Sequence, residues 1–151
     1  KKGITANVGL VQGGTGCNVV PETCEIELDV RINSLDQAAD IEARIEGLVG
    51  LDPDIELKVE GGLNRPPYEK DEGITSLFNH AKELAREIGF VLEDVKTGGG
   101  SDGNFTAALG KPTLDGLGAD GDGAHTLDEY ILYSSLVERT QLLLRLFQTL
   151  R

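Results

Sequence analysis

The chain has 151 residues, with 14 Lys and Arg against 26 Asp and Glu, giving a formal net charge of −12 and a sequence pI near 4.5. That balance excludes wrapping nucleic acid or lying on an anionic membrane, both of which need clustered cations, and 39% hydrophobic with 26% charged residues excludes a disordered chain. No apolar run reaches the roughly 18–20 residues of a membrane span and the first residues lack a signal-peptide core, so a soluble, cytoplasmic protein is expected.

Strands are predicted at 4–12 and 24–32, joined by the turn-rich Gly13-Gly14-Thr15-Gly16. In the second, Ile26, Leu28, Val30 and Ile32 alternate with Glu25, Glu27, Asp29 and Arg31, the pattern of a sheet with one wet face. Ser34 and Gln37 open a predicted helix over 35–49 that carries Ile41, Ile45 and Leu48 at helical spacing before Gly50. A third strand is predicted over 54–60, with Ile55, Leu57 and Val59 on one face, before Asn64-Arg65-Pro66-Pro67 halts regular structure. Strand, strand, helix, strand is half of an α+β sandwich.

Pro66–Gly73 is the expected domain boundary, dividing the chain into 1–69 and 70–151. An amphipathic helix follows over 74–88, with Leu77, Ala81, Leu84, Ala85 and Ile88 on its apolar face, His80 on its solvated side and Gly89 as a left-handed terminator. Beyond it the pattern predicts a strand near 91–95, a Gly-rich loop at 98–100, a small-residue helix near 102–109 and a strand near 112–116. A second Gly-rich loop covers 116–124. The final element is read as a long helix over 127–150, opened by a capping box of Thr126 and Glu129 and burying Ile131, Leu132, Leu136, Leu143, Leu146, Phe147 and Leu150.

Three segments could carry chemistry. Gly98-Gly99-Gly100-Ser101-Asp102-Gly103 has the form Gly-x-Gly-x-x-Gly, but the strand and acidic residue that a dinucleotide site needs are not in place. What survives is a loop whose amides can approach an anion such as a carboxylate at a helix start, or simply a tight turn. The segment from Asp115 to His125 holds three Asp, with Asp120 and Asp122 spaced as in a calcium loop whose later ligands are missing, so the Asp residues read as turn formers. His125, at the end of that loop, is read as held by rigid structure with one face accessible, although a single His makes no metal site. Alone, Asn18 and Arg31 read as a turn residue and a surface ion-pair partner. Cys17 and Cys24 fit neither a redox pair nor a zinc knuckle, so free thiols are expected.

Asn18-Val19-Val20-Pro21 with Ile26-Glu27-Leu28-Asp29-Val30-Arg31, then Gly98-Gly99-Gly100-Ser101-Asp102, then Gly123-Ala124-His125-Thr126-x-Asp128-Glu129-Tyr130 resemble the glutamate carboxypeptidase, acetylornithine deacetylase and succinyl-diaminopimelate desuccinylase family of two-zinc metallopeptidases, across essentially the whole chain. The resemblance implies an α/β protein: residues 1–69 as part of an inserted α+β sandwich lid that forms a homodimer interface, residues 70–151 as the C-terminal part of a zinc-aminopeptidase-like catalytic domain. It implies that Asn18, Arg31, Gly99, Gly100 and Ser101 bind the carboxylate of a small-molecule or peptide substrate. His125 becomes a terminal ligand to one of two zinc ions per full-length subunit, with cobalt or manganese as alternatives, and neither nucleic acid nor membrane is a partner. The family's His-x-Asp and Glu-Glu motifs are not in this sequence and Met is absent, so the chain is expected to be an inactive portion of a longer enzyme whose general base lies upstream. Glutamate carboxypeptidase-like amide cleavage is the expected activity, with deacetylase or desuccinylase activity, or a non-catalytic carboxylate-binding or dimerisation module, as the alternatives.

Overall fold

The computed structural model describes residues 3–50 and 52–150 of a mixed α/β chain. It divides into two compact units, Lys1–Tyr68 with Gly98–Gly100, and Glu69–Thr97 with Ser101–Arg151.

In the first unit β1 (Thr5–Gly13) pairs antiparallel with β2 (Cys24–Arg31). The register runs from Thr5 opposite Arg31 to Gly13 opposite Cys24, and slips between Val8 and Leu10, which leaves Gly9 as the extra residue of a bulge. The bulge has a purpose visible in the pairing. Residues directly opposite one another share a face, so Ala6, Val8 and Val11 join Val30, Leu28 and Ile26 on one side, while Thr5, Asn7 and Gln12 join Arg31, Asp29 and Glu25 on the other. Without the slip Leu10 rather than Val11 would continue the apolar row. α1 (Leu35–Glu46) follows, shorter than the predicted 35–49. Ser34 precedes it in extended conformation without a side-chain cap, and Gln37 instead accepts a hydrogen bond from the Asn33 amide at 2.8 Å. The predicted strand at 54–60 does not form: no neighbouring segment among the described residues offers it a ladder, and alternation reports only that one side is apolar. Glu42 of α1 accepts the Leu63 amide at 2.8 Å and ties the chain just beyond this stretch to the helix.

The second unit is built on α2 (Glu72–Ile88) packed against α4 (Ser135–Thr149). Asp71 caps α2 by accepting the Ile74 amide at 2.7 Å, and Gly89 ends it in the left-handed region at φ 113°, where a side chain would be strained. Ala81 and Ala85 leave a shallow strip on α2 into which Leu142 and Leu146 of α4 pack, with Leu84 and Leu92 completing the buried cluster. α3 (Gly103–Ala108) is a short helix, and a two-residue ladder joins β3 (Gly121–Asp122) to β4 (Tyr130–Ile131).

Five predictions for this unit are corrected. Residues 91–95 and 112–116 form no strand, for the same lack of a neighbouring strand among the described residues, and Gly116 turns into the left-handed region at φ 68°. The last helix starts at Ser135, not 127, because Tyr130 and Ile131 are taken by the ladder with Gly121 and Asp122. Its buried stripe therefore runs through Ser135, Leu142 and Leu146, leaving Ile131, Leu132, Phe147 and Leu150 exposed. His80 is half-buried rather than solvated: the Thr149 hydroxyl donates to the Arg145 carbonyl at 2.8 Å, so the His80 Nε2 must donate to Thr149 Oγ1, 2.7 Å away.

Candidate functional site

His125 is carried by the connection between β3 and β4. Gly121 is required there because a Cβ would lie 2.1 Å from the Tyr130 carbonyl oxygen, so only glycine admits the close pairing. The ladder is extended by the Leu132 amide donating to the Asp120 carbonyl at 2.7 Å. Within the connection Thr126 donates its hydroxyl to the Gly123 carbonyl at 2.7 Å and accepts the Asp128 amide at 3.2 Å, and Glu129 accepts the His125 amide at 3.3 Å. Thr126 and Glu129, expected as the two halves of a helix capping box, share one bond, the Glu129 amide donating to the Thr126 carbonyl at 3.4 Å, and it closes a loop rather than opening a helix. The consequence is that His125 sits at a hairpin tip instead of a helix start, exposed, at φ 67°. Among the described residues it alone has positive φ without being glycine, a conformation that costs of order 1 kcal/mol and concentrates at functional positions. Its ring makes no hydrogen bond among the described residues.

The hairpin is fastened to α4. The Asp120 amide donates to Ser135 Oγ at 2.9 Å, Ser135 Oγ donates to the Leu132 carbonyl at 2.7 Å, and the Asp120 carboxylate pairs with Arg139. The Arg139 guanidinium lies over the Phe90 ring, 5.3 Å from its centroid. Asp120, Ser135 and Arg139 were not among the sequence-derived site residues. A signal for Arg139 existed, since it falls on the stripe of Ser135, Leu142 and Leu146 where an apolar residue belongs.

The Gly-rich segment is organised locally. Asn104, buried in α3, accepts the Ser101 amide through Oδ1 at 2.9 Å, and Ser101 Oγ accepts the Gly103 amide at 3.1 Å. Two amides expected to face an anion are thus already bonded, and Ser101 keeps only its hydroxyl hydrogen for a ligand. Asn104 was missed by sequence reasoning, although an amide side chain three residues after Ser101 is the spacing of a turn closed by a side chain. Gly100 is crowded by Arg65, whose Cδ would lie 3.2 Å from a Cβ there.

Asn18 lies in the connection at one end of the β1–β2 ribbon and Arg31 at the other, with about 23 Å of strand between. Arg31 is exposed on the polar face, and its Nε donates to Asp29 at 3.1 Å. Asn18, Arg31, Gly99 and Gly100 belong to the first unit, Ser101 and His125 to the second. A depression of about 530 Å³ at the start of α2, lined by Lys70, Asp71, Glu72, Thr75, Ser76 and Asn79, contains none of them.

The model of the peptidase family M20/M25/M40 matches residues 2–149. The chain belongs to that family. Among curated relatives, this M20 chain is 29% identical over 156 residues to carboxypeptidase G2 of Pseudomonas sp. (strain RS-16), covering 99% of the chain and 37% of the relative. It is 29% identical over 140 residues to the succinyl-diaminopimelate desuccinylase of Stenotrophomonas maltophilia (strain R551-3), covering 85% and 36%, and 26% identical over 148 residues to that of Dechloromonas aromatica (strain RCB), covering 97% and 38%. The chain thus spans under two fifths of the length of these three relatives.

Peptidases of this family are generally metal-dependent hydrolases. Among the described residues no three His, Cys, Asp or Glu side chains converge to hold a metal ion. The described residues of this M20 chain do not by themselves make a metal centre, and His125 offers one exposed imidazole. Among the described residues no helix is long and apolar enough to cross a membrane.

Proposed function

We propose that the chain forms part of a zinc-dependent hydrolase that cleaves an amide bond next to a free carboxylate, as a glutamate carboxypeptidase does. The observation that carries this reading is His125: an exposed imidazole free of hydrogen bonds among the described residues, on a backbone locked in an unfavourable conformation, in a chain of a peptidase family. A neutral imidazole is a standard zinc ligand. The other ligands and the general base come from other residues, so no step of bond cleavage is assigned to this chain, and the chain alone is inactive.

Residues 1–69 are proposed as part of the lid through which a cytoplasmic homodimer forms, and residues 70–151 as the C-terminal part of the catalytic domain. Arg31 supplies a planar fork matched to a carboxylate, and Ser101 a hydroxyl donor beside Gly99 and Gly100. Asn18 adds a neutral donor, which requires the loop that carries it to approach the same substrate. The desuccinylase relatives support a second reading, in which the bond cleaved joins an acetyl or succinyl group to an amino acid.

The test is His125→Ala in the protein that carries this chain, assayed for zinc-dependent glutamate release from an N-acyl glutamate. Loss of groups that merely orient a metal ligand costs 10–100-fold, so loss of a ligand is expected to cost more than about 100-fold. Unchanged turnover overturns the reading. Preference for N-acetyl or N-succinyl substrates without regard to glutamate selects the second.

A further inference from the structure

We infer that Arg139 is a positioning residue for His125, holding the β3–β4 hairpin on α4 through Asp120, with Ser135 as the second fastening. The inference rests on the proposed role of His125. It starts from where the hairpin is anchored. The ladder itself is only two residue pairs, too short to be stable alone, and the hairpin residues 121–131 include no buried side chain. What restrains this segment is therefore concentrated at Asp120, the residue immediately before β3. There the amide, the carbonyl and the carboxylate are bound to Ser135, Leu132 and Arg139 respectively.

Arg139 is an improbable residue for fold stability. Its side chain is 13% exposed, and its Nη1 is buried with no hydrogen-bond partner among the described residues. A buried guanidinium with an orphaned N–H is usually less stabilising than an apolar side chain of the same size. The position lies on the buried stripe of α4 against Phe90, where a methionine would keep the apolar stem of the side chain and lose only the guanidinium. What an apolar residue cannot do is grip the Asp120 carboxylate. Because Asp120 is half-exposed, the carboxylate left behind would be hydrated rather than stranded, so removing the cation releases the hairpin without damaging the core.

The experiment compares Arg139→Met, Arg139→Lys and His125→Ala in the whole protein by amide hydrogen exchange, melting temperature and steady-state kinetics. Arg139→Met is expected to leave the melting temperature within about 3 °C or raise it, while amides of residues 121–132 exchange at least tenfold faster and those of α2 do not change. Turnover falls at least tenfold with KM nearly constant, and Arg139→Lys, which keeps the charge, recovers part of both losses. Unchanged exchange in the hairpin overturns the inference, as does a loosening in which α2 and the melting temperature fail together in both variants. If His125→Ala retains turnover, the functional reading of His125 fails, and the exchange data still decide whether Arg139 holds the hairpin.

Discussion

Arg31 shows how a residue legible in the sequence acquires its energetics from its neighbours. Its Nε is bonded to Asp29, but the two side chains are 57% and 63% exposed, and an ion pair that open is worth about 0–1 kcal/mol. In the role proposed for Arg31, a bidentate bond to a substrate carboxylate would be worth more, about 1.5–3 kcal/mol, and would win that competition. Arg31→Ala in the whole protein is therefore expected to raise KM by roughly 10–100-fold with kcat little changed, the signature of lost uniform binding. A fall in kcat at constant KM would contradict it. The types of Arg31, Ser101 and His125 could be read from the sequence. That the Ser101 amide is already bonded to Asn104, and that His125 has φ 67°, could not, because both follow from loop closure.

At the scale of elements, α2 was legible because an apolar stripe at helical spacing and Gly89 at the end agree, whereas its start at Glu72, two residues before the predicted 74, is set by the Asp71 cap that the structure reveals. The last helix was misread because Thr126 and Glu129 imitate a helix start and the apolar residues from Ile131 to Leu136 fit either a strand or a helix. A local window cannot see that Gly121, ten residues before Ile131, accepts it as a ladder partner. The corrected phase of α4 carries a test. Leu142 is fully buried against α2 whereas Leu144, two residues on, is 54% exposed. Leu142→Ala is expected to destabilise the second unit by about 2–5 kcal/mol and Leu144→Ala by no more than about 0.5 kcal/mol, measured by urea unfolding. Equal effects would refute this packing.

For the whole molecule, exposed apolar surface is the telling quantity. In the first unit the apolar row of the β1–β2 pair is open, with Val8, Val11, Ile26 and Leu28 all exposed, and Ala38 is the one buried residue described there. The 151-residue polypeptide by itself is accordingly expected to self-associate or to unfold without a cooperative transition, and to release no glutamate from an N-acyl glutamate in the presence of zinc. Light scattering on a size-exclusion column, thermal unfolding and the hydrolysis assay check this; a cooperative 16.1 kDa monomer would contradict the first part, and zinc-dependent release the second. The sequence by itself determined the family, the amphipathic helix α2, the paired strands and the residue types able to bind a carboxylate or a metal, since these depend on local periodicity and short motifs. Only the tertiary structure decided which alternating segments find a ladder partner, where α4 begins, how the amides of the Gly-rich loop are spent and that Arg139 grips the hairpin bearing His125. Each of those is settled by residues distant in the chain competing for the same hydrogen bonds and the same buried space.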